Sequence, residues 1–206
     1  MTQPNVDHWD SVYARRAATE VSWYQARPDT SLALIERSGI AKGDAVIDVG
    51  GGASTLVDHL LAAGYTDLSV LDIAAGAFTQ SRQRLGANAD AVNWIVSDVT
   101  QFEPQRGYRL WHDRAVLHFL TQPEHQAQYV DVLQQALEPD GTAIIATFGP
   151  DGPTRCSGLD IQRYNIASLE SLLAPGFELQ SHELEYHQTP TGAEQQFLYS
   201  CWTRRG

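Results

Sequence analysis

Apolar positions recur along this chain in two rhythms. From residue 44 onward, short β-branched or aliphatic runs (Ala45-Val46-Ile47, Leu68-Ser69-Val70-Leu71, Val92-Asn93-Trp94-Ile95-Val96) alternate with longer amphipathic segments. The first rhythm predicts strands covered on both faces, the second helices with one apolar face. Strands are expected at 45–49, 68–72, 92–96, 108–112 and 142–148, and helices at 54–63, 75–85 and 123–137. Gly64 and Gly86 stop the first two helices, Pro123 suits the first turn of the third, and Asp140-Gly141 turns the chain into strand 142–148. Strand and helix alternating in this way imply a parallel sheet with helices on both faces and right-handed crossovers. After residue 150 the rhythm changes. A Gly/Pro-containing loop at 149–160 leads to helix 166–173. Two longer strands follow, 177–187 and 195–203, joined by Thr189-Pro190-Thr191-Gly192. That hairpin gives the sheet an antiparallel edge, so the fold class is α/β with seven strands, mostly parallel, the last antiparallel. Ahead of the sheet, residues 7–37 read as helical in two parts separated by Pro28. Asp29-Thr30-Ser31 is expected to cap the second part at Leu32-Ala33-Leu34-Ile35.

One stretch carries more chemistry than the rest. In Val46-Ile47-Asp48-Val49-Gly50-Gly51-Gly52-Ala53-Ser54-Thr55, a strand runs into an acid, three glycines and a helix start. Gly50, Gly51 and Gly52 let the backbone approach a ligand closely, and the following helix points free N–H groups at it. Twenty residues past Gly52, strand 68–72 ends in Asp72, which can accept both ribose hydroxyls of an adenosine or simply cap the next helix. Asp98, after Trp94-Ile95-Val96, can accept from an adenine amino group or serve as a turn residue. Asp48, Asp72 and Asp98 all fall at carboxyl ends of strands, where open α/β sheets bind ligands.

Composition narrows the partners. The 206 residues carry a net charge of −11, which disfavours a broad nucleic-acid or anionic-membrane surface. No run approaches the ~20 apolar residues of a membrane span. The N-terminal residues lack the basic start and apolar core of a signal peptide, so a cytoplasmic location is expected. Two cysteines and scattered histidines show no zinc-type spacing, and no metal is expected.

The glycine loop, Leu71-Asp72-Ile73, Ser97-Asp98-Val99, Asp113 after the fourth strand and the closing hairpin together resemble the class I S-adenosylmethionine-dependent methyltransferases over roughly residues 40–205. The resemblance implies a Rossmann-like fold, S-adenosyl-L-methionine as cofactor and S-adenosyl-L-homocysteine as product. It places the glycine loop with Asp48 on the methionine part, Asp72 and Ile73 at the ribose, and Asp98 and Val99 at the adenine, with Asp113 also on the cofactor side. The segment Trp111-His112-Asp113-Arg114-Ala115-Val116-Leu117-His118 is similar to the Asp-Arg segment of thiopurine- and thiol-type methyltransferases. Those enzymes carry an aromatic N-terminal lid, which Trp9, Tyr13, Trp23 and Tyr24 can form here, Tyr13 and Trp23 then touching the cofactor. The N-terminal aromatic pattern also resembles lysine methyltransferases of the elongation-factor type. The Asn/Asp-Pro-Pro-Tyr signature of amino-group DNA and glutamine enzymes is absent.

A single domain follows: a helical lid at 1–38, a cofactor-binding half at 39–148, and an acceptor loop with the hairpin at 149–206. His112 and His118 are candidate general bases and Arg114 a candidate partner for a carboxylate. Packing, or a pair with Asp113 or Glu138, is the plainer role for each. On the acceptor side, Tyr24, Cys156, Arg163, Tyr164 and His187 are candidates, with core or surface-loop roles as their alternatives. A small-molecule acceptor is expected, a protein lysine second. Two rival classes remain. A NAD-dependent oxidoreductase would want a third glycine where Thr55 stands, and a catalytic lysine where the chain has only Lys42. A module that binds S-adenosylmethionine without turnover would keep the same cofactor edge.

Overall fold

The computed structural model describes residues 3–15 and 17–206, with side chains from residue 6. Strands β1 (Val46–Val49), β2 (Leu68–Asp72), β3 (Val92–Val96), β4 (Tyr108–Arg114) and β5 (Leu137–Phe148) form the parallel part of a sheet. Two two-residue strands, β6 (Arg155–Cys156) and β7 (Leu159–Asp160), make a separate small hairpin. The long strands β8 (Phe177–Gln188) and β9 (Glu194–Arg204) complete the main sheet. Its order is β3-β2-β1-β4-β5-β9-β8, with β9 antiparallel to both neighbours. The chain reverses direction of travel across the sheet between β1 and β4, which opens a crevice at their carboxyl ends.

Alternation along the strands sorts the core into two layers. Ile47, Val49, Leu71, Trp111 and Ile145 face one side, with Tyr129 and Leu133 of α5 (Pro123–Ala136) and Leu169 of α6 (Ile166–Leu173). Val46, Val70, Leu110 and Ile144 face the other, against α2 (Asp29–Arg37), α3 (Leu56–Ala62) and α4 (Ala77–Leu85). Burial on both faces is why these strands read as continuous apolar runs.

Three local expectations are corrected. The Asp29-Thr30-Ser31 cap is not formed: Pro28 is the N-cap and its carbonyl accepts from Leu32 N–H at 2.9 Å, while Ser31 is buried inside the first turn. The Asp140-Gly141 turn lies inside a strand that begins at Leu137. Residues 138–141 bulge opposite Arg109, whose guanidinium donates to the Pro139 carbonyl at 3.1 Å, and Asp140 takes φ +58°. The 149–160 loop holds the β6–β7 hairpin, turned by Ser157 and Gly158 at φ +50° and +81°. At the front of the chain, α1 (Gln3–Arg15) and a single 3₁₀ turn (Ala18–Glu20) lead into an irregular strap at 21–28. No described helix is long and apolar enough to cross a membrane.

Candidate functional site

β1 delivers Asp48 and then the glycine turn to the crevice. Gly50 has φ +68°, and a Cβ there would lie 2.1 Å from a Val116 methyl. Both facts require glycine. At Gly52 a Cβ would come within 2.5 Å of Asp72 Oδ2, so the missing side chain is what lets that carboxylate sit beside the loop. Asp72 closes β2 and is buried. Its Oδ1 accepts from Ala74 N–H at 2.9 Å, so it caps the turn and also faces the crevice. Burial pushes its carboxyl up to about 7; the Ala74 and Ile73 N–H groups oppose that rise and the negative charge of Asp48 adds to it.

Two adjoining clefts occupy the crevice and share Tyr13, Trp23, Gly50 and Arg114. The first, about 660 Å³ to its mouth, runs from Asp72, Ile73, Ser97 and Val99 to an apolar wall of Trp9, Val116, Phe119 and Cys156. The second, about 560 Å³, is more polar, bounded by Asp48, Gly51, Ser54, Thr55, Ser31, His112, Tyr24 and Gln25.

The roof is aromatic. The Trp9 ring meets Trp23 at 5.8 Å and Phe119 at 5.1 Å between centroids, both edge-on. Asp10 accepts from Gly76 N–H at 3.4 Å, where α4 begins. The strap is fastened from below. Arg114 Nη1 donates to the Trp23 carbonyl at 3.0 Å, Gln25 Nε2 donates to Glu185 at 3.1 Å, and Thr55 Oγ1 donates to the Gln25 carbonyl at 2.9 Å. Arg114 also donates to Tyr199 Oη and pairs with Glu185, its guanidinium 4.3 Å from the Phe197 ring centre.

Several expected site residues lie elsewhere. His118 is fully buried and lines neither cleft. Its Nδ1 accepts from Phe148 N–H at 3.2 Å, its ring stacks on Phe148, and burial, helped by the Arg114 charge, pushes it down to about 3, so a general-base role is corrected. Asp113 is also buried and outside both clefts. It accepts from Val116 and Leu117 N–H and from Tyr129 Oη (2.8, 3.1 and 2.7 Å), fixing the turn after β4. Arg163 donates to the Pro150 carbonyl at the surface. Tyr164 packs in the core, and His187 Nε2 sits 2.8 Å from the Ser22 carbonyl as another strap fastening. Asp98 lines neither cleft and accepts from Thr100 N–H and Oγ1, though its neighbours Ser97 and Val99 do line the first. His112 reaches the second cleft with both ring nitrogens engaged, by Asp48 at 2.7 Å and Ser31 at 2.9 Å. Tyr13, Trp23, Tyr24, Cys156, Arg114, Asp48, Gly50, Gly51, Asp72, Ile73 and Val99 do border the clefts.

Comparisons with known proteins follow the same lines. A family model described as a methyltransferase domain matches residues 46–141. A malonyl-[acyl-carrier protein] O-methyltransferase of Ilyobacter polytropus is 23% identical over 107 residues, 52% of this chain. The match spans only 40% of that protein's length. Among solved structures, one concerning conversion of a disulfide bond into a thioacetal group during echinomycin biosynthesis superposes with a TM-score of 0.75. It is 18% identical, covering 97% of this chain and 93% of that one. The 1,6-didemethyltoxoflavin-N1-methyltransferase of Burkholderia thailandensis, bound to 1,6-didemethyltoxoflavin and S-adenosylhomocysteine, superposes at 0.70. It is 19% identical and covers 98% and 85% of the two chains.

Proposed function

We propose that this chain is a class I S-adenosylmethionine-dependent methyltransferase and that it methylates a small, largely apolar molecule at a nucleophile that needs no help losing a proton. The observation that carries this reading is the wall of the first cleft. Opposite Asp72 it is built from Trp9, Trp23, Val116, Phe119 and Cys156, with no carboxylate or imidazole among them. The Cys156 thiol is itself pushed up by burial. His112 is pinned at both nitrogens and His118 is outside the cleft. A readily ionised thiol, a heteroaromatic nitrogen or an acidic oxygen reaches such a wall already nucleophilic; an aliphatic alcohol must first give up a proton to a base.

The residues present fit the cofactor. Asp72 accepts the ribose hydroxyls. Ile73, Ser97 and Val99 bracket the base. Asp48 Oδ2, buried and without a partner among the described residues, accepts an ammonium at the other end. When bound, S-adenosylmethionine supplies an electrophilic methyl group on a cationic sulfur. Tyr13, Trp9 and Trp23 present ring faces and edges to that region, which favour a cation and keep water out. Holding the acceptor in line is then most of what the protein contributes. The small molecule named with the Burkholderia thailandensis enzyme, 1,6-didemethyltoxoflavin, supports the acceptor class.

Parallel calorimetric titrations with S-adenosylmethionine, S-adenosylhomocysteine and NAD test the cofactor. Mass-spectrometric screening of thiols, heteroaromatic amines and aliphatic alcohols then tests the acceptor. We expect binding of both adenosyl ligands, none of NAD, and methylation confined to the first two acceptor classes. Turnover of unactivated alcohols would sink the base-free reading.

A further inference from the structure

Asp48 is held from one side only. Its Oδ1 lies 2.7 Å from His112 Nδ1, on the neighbouring strand at the paired position. Its Oδ2 has no partner among the described residues, although the side chain is buried. That oxygen is turned toward the glycine loop: a Cβ on Gly51 would stand 2.3 Å from it, and Asp48 and Gly51 both line the second cleft.

A carboxylate only accepts, so His112 Nδ1 carries the proton and donates. The other nitrogen of a neutral imidazole is then an acceptor. It accepts from Ser31 Oγ at 2.9 Å, and Ser31 is fully buried on α2. With its hydroxyl proton spent on His112, Ser31 Oγ faces Tyr199 Oη at a longer 3.4 Å as the acceptor. Tyr199 Oη in turn accepts from Arg114 Nε at 2.9 Å. Each donor in the series points from the arginine toward Asp48. The imidazole is fixed in tautomer and ring orientation from both ends, as a paired group fixes a ligating histidine in a metal site.

We propose that His112 and Ser31 are positioning residues. Together they lock the Asp48 carboxylate in the rotation that aims Oδ2 into the second cleft, where it receives the ammonium of the cofactor's amino-acid end. His112 therefore acts on binding selectivity and takes no proton from the acceptor. This inference rests on the cofactor reading above.

The two can be separated by titrating S-adenosylhomocysteine against 5′-methylthioadenosine, which has the nucleoside and the sulfur but no amino acid. In His112→Leu, affinity for S-adenosylhomocysteine should fall by about tenfold or more, the size expected for a charged hydrogen bond, while that for methylthioadenosine hardly changes. Ser31→Ala should shift the same ratio less. His112→Asn, whose amide can donate to Asp48 in place of Nδ1, should restore much of it. If His112→Leu does not fold, Ser31→Ala and His112→Asn decide the matter. Equal losses for both ligands, or an unchanged ratio in Ser31→Ala and His112→Leu, would overturn the proposal. A parent protein that binds methylthioadenosine as tightly as S-adenosylhomocysteine would overturn it while leaving the nucleoside site intact. A parent that binds neither overturns the cofactor reading and this inference with it.

Discussion

Asp72 combines burial with a proposed task that needs charge. Its carboxyl is raised from the ordinary 3.8 to about 7, chiefly by burial. Across that window the folded chain holds a proton that the unfolded chain has already lost. Stability present at low pH is therefore lost as pH climbs from about 4 to about 7. Asp113, raised to about 6 mainly by burial, works in the same direction. The thermal midpoint of the unliganded protein should fall across this range, and fall less in Asp72→Asn. Ribose hydroxyls donate best to an ionised carboxylate, so nucleoside binding near pH 6 should release a proton. The release appears as a buffer-dependent heat that Asp72→Asn abolishes; a buffer-independent heat in the parent would contradict the pose. Gly50 makes a different demand. Alanine there must keep φ +68° and displace Val116, a strain of about 1–3 kcal/mol. The denaturation midpoint of Gly50→Ala should drop accordingly, with nucleoside binding lost in the same variant.

The roof of the cleft is held by few bonds, and the two parts that make it are held differently. The strap at 21–28 is tied by Arg114, Glu185, Thr55 and His187, whereas α1 meets the body through contacts that include Trp9, Tyr13 beside Gly52 and the Asp10 bond to Gly76. Trp9→Ala removes the edge-on ring contacts to Trp23 and Phe119, outside its own helix, worth about 0.5–1.5 kcal/mol each beyond burial. It should speed ligand release in stopped-flow measurements while leaving the thermal midpoint nearly in place. A large fall in midpoint would mean that α1 belongs to the core. These long-range ties were the part that sequence did not disclose. Strands 68–72 and 92–96 and helix 166–173 were legible to the residue, because glycines, acids and prolines bound uniform apolar runs. Asp72 was legible as an acid at a strand end. Ser31 was misread as a cap, since a serine three residues past a proline carries no mark of a histidine 81 positions away. Tyr199 and Glu185 lie within strand alternation and look like any core or surface position. The β6–β7 turn was missed because two-residue strands have no periodicity to detect.

At the scale of the whole molecule, the net charge of −11 is a field that favours the proposed cationic cofactor and is indifferent to the proposed apolar acceptor. Its topology also orders events in time. The strap is secured by Glu185 and His187 through bonds spanning 160 and 165 residues of sequence. Contacts so distant form late, after the entropy of closing the intervening chain has been lost. In refolding, far-UV dichroism should recover before methylthioadenosine binding does; one shared phase would show that strap and sheet form together. On the ribosome the same arrangement has a plainer effect. The crevice between β1 and β4 can form once β4 has emerged, well before the hairpin that anchors its cover. The proposed site therefore lacks its cover until translation has passed residue 187, and tight ligand capture would itself report that the anchoring strand has been made.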